Sequence, residues 1–362
     1  MRIGLIIYGS LTTLSGGYLY DRKLVECLRE HGDNVEIISL TRRNYLHHLG
    51  DNFSNGLMRR LVNLQCDLLL QDELNHPSLF LLNRRIKDKI SYPIISIVHH
   101  LRCCEENPFW LNRFYRLVES HYLSSLDGFI CNSRSTLEMV EDLISNCGNQ
   151  HHPSLVAYPG GNRFHQQISK AEISQRARED HVLNLLFIGN IIPRKGLHIL
   201  LKALKRLPEN QFILNIVGNL EADLPYFLNI KRQIEQNDMT NQVRFAGLLS
   251  DNDLCNCMKK SHLLVMPSYY EGYGIAYLEG MGFGLPAIGT NRGGAREIVI
   301  SGLNGFLIDP GDDAKLALYL RQLSQDRGLL LKMSLKALDH YISRPDWEQS
   351  MENIRIFLGG LI

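Results

Sequence analysis

PSYYEGYGIAYLEGMGFGLPAIGTNRGGAREIV, residues 267–299, follows the short apolar run HLLVM at 262–266. The run has the length of a buried strand, the glycines at 272 and 274 mark a turn, and a helical stretch starts near Ile275. A second apolar run, PAIG at 286–289, comes after that helix. Strand, turn, helix and strand make the β-α-β unit of a parallel sheet. Two carboxylates ride on it, Glu271 in the turn and Glu279 eight residues later in the helix. A helix start exposes unpaired N–H groups with a partial positive charge, which suits a phosphate or sugar hydroxyls. A carboxylate on such a helix can accept hydrogen bonds from a vicinal diol such as ribose. Alone, the pair also fits a glycine-rich turn with two solvated glutamates. The strand, turn and helix around it, and the GGAREI that follows, weigh toward a binding site.

The same rhythm runs outward in both directions. Buried strands are expected at 3–8, 35–40, 68–70, 94–98 and 128–132, with a helical stretch at 18–31. A break follows at 148–161 (GNQHHPSLVAYPGG), and 169–180 is polar and charged. Strands then resume at 183–189, 212–217, 242–245, 262–266 and 286–289. The fold class is α/β: two doubly wound units joined by a polar linker, a natural division for 362 residues. Ligands of open parallel sheets sit at the carboxyl ends of the strands. Near the end, Trp347, Met351, Ile354 and Phe357 fit one apolar helical face that must be buried.

Composition narrows the function classes. Net charge is +1, so there is no global basic field and no nucleic-acid partner is expected. MRIGLIIYGS reads as a first buried strand, since it has one basic residue and no small-residue cleavage site follows. No apolar run approaches the roughly 20 residues of a membrane span, so a cytoplasmic protein is expected. The eight cysteines are scattered, without a C-x2-C pair, and read as reduced and mostly buried.

The segment at 267–299 resembles the donor-binding signature of family 4 glycosyltransferases. FIGNIIPRKGLHILLKAL (187–204), NIVGN (215–219), VRFAGLLSDNDL (243–254), SGLNGFLIDPGD (301–312) and the Trp347 segment match that family in order and spacing. The second half is covered almost continuously, the first through Gly16, Gly17 and the strand ending in His99. The resemblance implies the GT-B fold, two Rossmann-like domains facing a cleft, with the last helix returning to the first. It implies an acceptor-side domain over 1–165 plus 345–362 and a donor-binding domain over 170–344. The implied activity is transfer of a hexosyl unit from a nucleotide-sugar with retention of configuration, without metal or other cofactor. UDP-sugars lead GDP-mannose by frequency in the family. The acceptor is a glycan, a lipid-linked group or a small molecule, chosen by loops at 11–20, 43–57 and 102–114.

Residue by residue, the resemblance assigns the diphosphate to Arg194 and Lys195, cations that would stabilise charge on the leaving group. Glu271 with Gly272, Tyr273, Gly274 and Ile275 would hold sugar and phosphates, and Glu279 the ribose. Gly16 and Gly17 would lie under the phosphates. His99 would contact the sugar, with His100 as the alternative, and Asn132 and Ser133 would hold hydroxyls or phosphate. A nucleotide-sugar epimerase and a non-catalytic nucleotide-sugar binder are the rival readings.

Other patterns are read as decoys. Asp251-Asn252-Asp253 spells D-x-D but should start the helix after the strand at 243–245, a natural N-cap position rather than a metal site. Asp312 and Asp313 should lie in a surface loop. His47-His48 and His151-His152 lack a third ligand and should be solvated. Arg42, Arg43, Arg59, Arg60, Arg84, Arg85 and the stretch 109–122 suit peripheral contact with anionic lipid at the inner face of a membrane. Seventeen basic and seventeen acidic residues cancel over 1–165, so solvated helix faces explain the same cluster equally well.

Overall fold

The computed structural model describes residues 1–13, 15–145, 152–164, 168–179, 182–208 and 211–362. The chain divides into two compact units, Met1–Pro159 with Pro345–Ile362, and Gly160–Arg344. Each holds one six-stranded, all-parallel sheet.

In the first unit the strands are β1 (Arg2–Tyr8), β2 (Asn34–Leu40), β3 (Leu68–Asp72), β4 (Ile94–Val98), β5 (Gly128–Cys131) and β6 (Ser154–Val156), in the order β2-β1-β3-β4-β5-β6. Every residue of β3, β4 and β5 is buried, as expected when helices cover both faces of a parallel sheet. The reversal of strand order falls at β1 and β3.

In the second unit they are β7 (Leu183–Ile188), β8 (Phe212–Val217), β9 (Val243–Gly247), β10 (Leu263–Val265), β11 (Ala287–Thr290) and β12 (Gly305–Ile308), in the order β12-β11-β10-β7-β8-β9. The chain builds outward from β7 through β8 to β9, then returns to pair β10 with the other edge of β7. That reversal opens a crevice at the carboxyl ends of β7 and β10, where doubly wound sheets bind ligands.

Several sequence expectations need correction. Residues 154–156, read as part of the break, form the edge strand β6. The polar stretch after it is no open linker, because Lys170–Glu179 is a helix. Its Ile173 and Ala177 are buried and Arg176 donates to the carbonyls of Met258, Lys259, Phe283 and Gly284. Strand β12 lay inside a motif with no strand assigned to it.

The Trp347–Gly359 helix packs on the Gly16–Glu30 helix of the first unit, with the Trp347 ring edge-on to Tyr20 at 5.9 Å. Its buried face is Trp347, Met351, Ile354 and Leu358, while Phe357 is only half-buried. A spacing of 3.6 residues brings position 358, not 357, under 354 and 351.

Candidate functional site

The crevice of the second unit is built by two loops fastened to each other. After β7 the chain turns through Pro193–Lys195 and is closed by Gly196, whose φ is +70°. A Cβ on Gly196 would stand 2.0 Å from the Pro267 carbonyl oxygen, so only glycine lets this loop meet the one after β10. Across the junction, the Tyr269 N–H donates to the Arg194 carbonyl at 2.8 Å and Arg194 Nη1 donates to the Tyr270 carbonyl at 2.8 Å. Arg194 and Lys195 are thereby fixed beside residues 269–271.

Glu271 leaves that loop in a parallel bridge to Gly293, and the Gly294 N–H donates to its carbonyl at 2.9 Å. Its side chain, 6% exposed, accepts from Lys195 Nζ at 2.7 Å and from Ser268 Oγ at 2.6 Å, both on Oε1. Burial pushes the Glu271 carboxyl up, but Lys195 and Arg194 outweigh it and hold the group below the usual carboxylate range. Burial in turn lowers the Lys195 ammonium, a shift that Glu271 opposes. The result is a buried ion pair with a second cation alongside.

Gly274, with φ +91°, heads the Ile275–Gly282 helix, whose start has no side-chain cap. Glu279, on the same helix, is 5% exposed and differently served. Its Oε1 makes no hydrogen bond, and its nearest cation is Arg163, whose Nε lies 3.4 Å away. Burial raises this carboxyl to about 7 despite Arg163, and Asp251 adds to the rise.

In the first unit, Gly16 and Gly17 open the Gly16–Glu30 helix behind the N-cap Ser15. His99, just past β4, lies against Gly17, where a Cβ would come within 3.2 Å of the imidazole Cδ2. Its Nε2 bonds to Asp21 Oδ1 at 3.0 Å, Tyr20 packs edge-on at 5.1 Å, and Asn132 Nδ2 donates to its carbonyl at 2.9 Å. Burial alone would lower the imidazole, yet the carboxylates of Asp21, Asp72 and Glu73 leave it raised to about 9. His100 is instead held to Glu105 within its own loop, at 2.9 Å. Asn132 and Ser133 are engaged structurally, Asn132 on His99 and Thr136, Ser133 as a helix N-cap.

The family model described as "Glycosyl transferases group 1" matches residues 169–339. That match lies within the second unit and spans most of it. Among curated proteins the chain is similar to an uncharacterized glycosyltransferase of Methanocaldococcus jannaschii, at 28% identity over 170 residues, 47% of this chain and 46% of that protein. It is also similar to D-inositol 3-phosphate glycosyltransferase of Streptomyces bingchenggensis, at 26% identity over 242 residues, 64% of this chain and 52% of that one. The chain thus spans about half the length of the curated relatives it matches. Sucrose-phosphate synthase from Thermosynechococcus elongatus has the same fold, with TM-score 0.83, 18% identity and coverage of 99% and 98% of the two chains. HepE from Anabaena, solved with UDP and glucose, gives TM-score 0.76 at 21% identity over 100% of both chains. The fold is GT-B, two Rossmann-like units.

In the second unit the D-x-D stretch starts a helix, and Ser250, directly before it, is the N-cap. Ser250 Oγ accepts from the Asp253 N–H at 3.2 Å and donates to its carboxylate at 2.6 Å. A hydroxyl directly before the stretch fills the capping role that its aspartates were expected to fill. Asp312 is an N-cap too, and Asp313 pairs with Arg206. In the first unit His48 is buried, stacked on Tyr8 at 4.0 Å, where solvation was expected. His152 packs on Phe129, and His151 lies outside the described residues. Of the seven described cysteines, all free, only Cys27, Cys131 and Cys255 are fully buried, fewer than expected.

Three clusters among the described residues bring three ligand-type atoms within 4.8 Å of one another: Asp21, Asp72 and His99; Glu73, His76 and Glu119; Cys27, His31 and Glu352. Sequence reading missed Asp21, Asp72, Glu73 and Arg163. Asp21 left a signal, a carboxylate amid Tyr18, Leu19, Tyr20 and Leu24 on a buried helical face. Asp72 and Glu73 left another, two acids at the carboxyl end of a leucine-rich strand.

Proposed function

We propose that the chain is a glycosyltransferase that moves a hexosyl unit from a nucleotide-diphosphate sugar to a hydroxyl of a glycan, lipid-linked or small-molecule acceptor. The observation that carries this reading is the buried Lys195–Glu271 pair, with Arg194 beside it, at the β7/β10 reversal of the unit that the group 1 model matches. The second unit is the donor binder in this reading, and the first carries the acceptor.

Glu279 takes the ribose diol, while Glu271 and the backbone of residues 272–276 take the sugar and phosphates. As the bond from the anomeric carbon to the phosphate oxygen breaks, negative charge grows on the diphosphate. Arg194 and Lys195, already ordered and partly desolvated, stabilise it without a metal. The acceptor oxygen bonds to the anomeric carbon from the face the phosphate leaves. The acceptor proton passes to the departing phosphate oxygen, so configuration is retained and no base is required. His99 contacts the transferred sugar. UDP is the favoured carrier, a choice supported by the UDP and glucose held on the same fold in HepE. The exposed Phe109, Trp110 and Leu117 beside Arg113 and Arg116 support contact with a lipid surface or lipid-linked acceptor.

The donor is found by a thermal-shift screen of UDP- and GDP-sugars, because a ligand of the folded state raises the melting temperature with concentration. With that donor, Glu271→Ala, Glu279→Ala and Arg194→Ala are each expected to lower transfer by about 100-fold or more. Near-wild-type rates in all three would remove this assignment of the site.

A further inference from the structure

Arg163 belongs to no motif of the sequence and has no part in the transfer step just described, yet it is the cation nearest Glu279. It lies at the start of the second unit, two residues after Gly161. The chain there is pressed onto the domain, since a Cβ on Gly161 would fall 2.8 Å from both Leu278 and Tyr341. A seated backbone so close to residue 278 delivers the Arg163 side chain to the next residue of the helix. Its Nε lies 3.4 Å from Glu279 Oε1, and Nη2 lies 3.5 Å from Asp251 Oδ1. Its guanidinium packs over the Phe164 ring at 4.4 Å.

The contact is an ion pair without a hydrogen bond. Arg163 Nε and Glu279 Oε1 are both buried, and neither has a hydrogen-bond partner. The charge of Arg163 therefore acts on Glu279 while leaving the oxygen's hydrogen-bonding capacity unused. A carboxylate in that state can accept from two hydroxyls, whereas a protonated one has an acceptor fewer and an O–H to place.

We propose that Arg163 is a positioning residue of the donor site, favouring the ionised form of Glu279 and leaving it a free oxygen for the ribose diol of the nucleotide. This rests on the donor reading above and extends it to a residue outside the matched stretch 169–339. The groups facing Glu279 are Arg163 from the entering segment and Asp251 and Cys255 from the Asp251–Lys260 helix. Arg163 is the one cation among them. With it in place burial already brings Glu279 to about 7. Without it, burial and Asp251 act unopposed, and the carboxyl is protonated at neutral pH.

The test is calorimetric titration of the full chain with UDP and with GDP between pH 6 and pH 9. Arg163→Met keeps the bulk of the side chain and removes its charge, and Arg163→Lys restores a charge. Arg163→Met should weaken nucleotide binding about 10-fold at pH 7 and recover to within about 3-fold of wild type at pH 9, as ionisation returns. Arg163→Lys should recover most of the loss at pH 7. On a Glu279→Gln background, Arg163→Met should add no pH-dependent loss. Unchanged affinity in Arg163→Met, or a loss equal at every pH, overturns this inference while leaving the donor reading intact. Failure of the wild-type protein to bind either nucleotide removes the donor reading and this inference with it.

Discussion

At the carboxyl end of β10, Glu271 is buried and ionised; at the carboxyl end of β3, Asp72 and Glu73 are equally buried and held well above the usual carboxylate range. Both places are strand-order reversals of parallel sheets, so topology does not separate them. The difference is the origin of the counter-charge. In the second unit a lysine from the neighbouring β7 loop reaches Glu271 at 2.7 Å, and Ser268 donates a hydrogen bond to the same oxygen. In the first unit the cation near Asp72 is the imidazole of His99, already bonded to Asp21. Asp72 Oδ2 and both Glu73 side-chain oxygens are left without hydrogen bonds. One reversal is a fixed ion pair. The other is a set of acids gathered around two imidazoles, His99 beside Asp21 and Asp72, and His76 with its Nδ1 3.0 Å from Glu73 Oε1.

The sharpest way to break that contrast is to remove the lysine. Lys195→Met leaves Glu271 charged and buried with only Ser268 on its oxygen, a loss of about 3–5 kcal/mol in unfolding free energy at pH 7. Adding Glu271→Gln should restore a large part of it, because the uncompensated charge is the main cost. Urea denaturation of the two variants checks this. A single variant as stable as wild type would mean that Glu271 takes up a proton, which would erase the difference from Asp72.

A smaller effect is expected from the backbone that aims Glu271. Gly293 has φ +69°, and a Cβ there would lie 2.0 Å from the Glu271 carbonyl oxygen. Gly293→Ala should therefore cost about 2–4 kcal/mol, from left-handed strain and from displacing the bridge. Donor binding should fall with it, because the moved segment carries Glu271. Nothing comparable constrains Asp72, whose strand is regular. An alanine variant with wild-type melting and donor affinity would mean that the bridge does not position the site.

The contrast also marks what could be read from the sequence. Arg194, Lys195, Glu271 and the glycines near them are legible because turn chemistry is local: each sits within a few residues of a strand end. The two sheets are legible for the same reason, as short apolar runs at regular intervals. The network around His99 is not, because Asp21, Asp72 and His99 come from a helix and two strand ends and meet only when the sheet forms. Arg163 is hidden in the same way, 116 residues before Glu279 in the chain. Strand β6 escaped because three partly exposed residues at a sheet edge carry little hydrophobic pattern. Ser250 escaped because two aspartates beside it are equally good caps by type, and only geometry chooses between them.

The smallest effect concerns Asp72, and its sign separates the two reversals. Burial raises this carboxyl from 3.8 to about 7, with Asp21 adding to the rise and His99 opposing it. A carboxyl whose pKa is higher folded than unfolded binds its proton more tightly in the folded protein. Stability therefore falls as pH rises through about 4 to 7, the reverse of the usual salt-bridged carboxylate. Asp72→Asn cannot ionise and keeps an oxygen for the Leu74 N–H that Asp72 Oδ1 accepts at 2.9 Å. It should be more stable than wild type by about 1–3 kcal/mol at pH 8, with the advantage shrinking toward pH 4. Glu271→Gln should show the opposite: the lowered carboxyl stabilises the fold above the unfolded pKa, so its loss is felt at pH 8 and fades in acid. His99, raised to about 9, stabilises below its ordinary value and loses that contribution as pH climbs through 9, which limits the gain in Asp72→Asn where the imidazole has relied on that charge. Melting curves of the two variants from pH 4 to pH 8 should therefore diverge from wild type in opposite directions. Parallel shifts would mean that counter-charge, the property held to distinguish the two strand ends, does not control either acid.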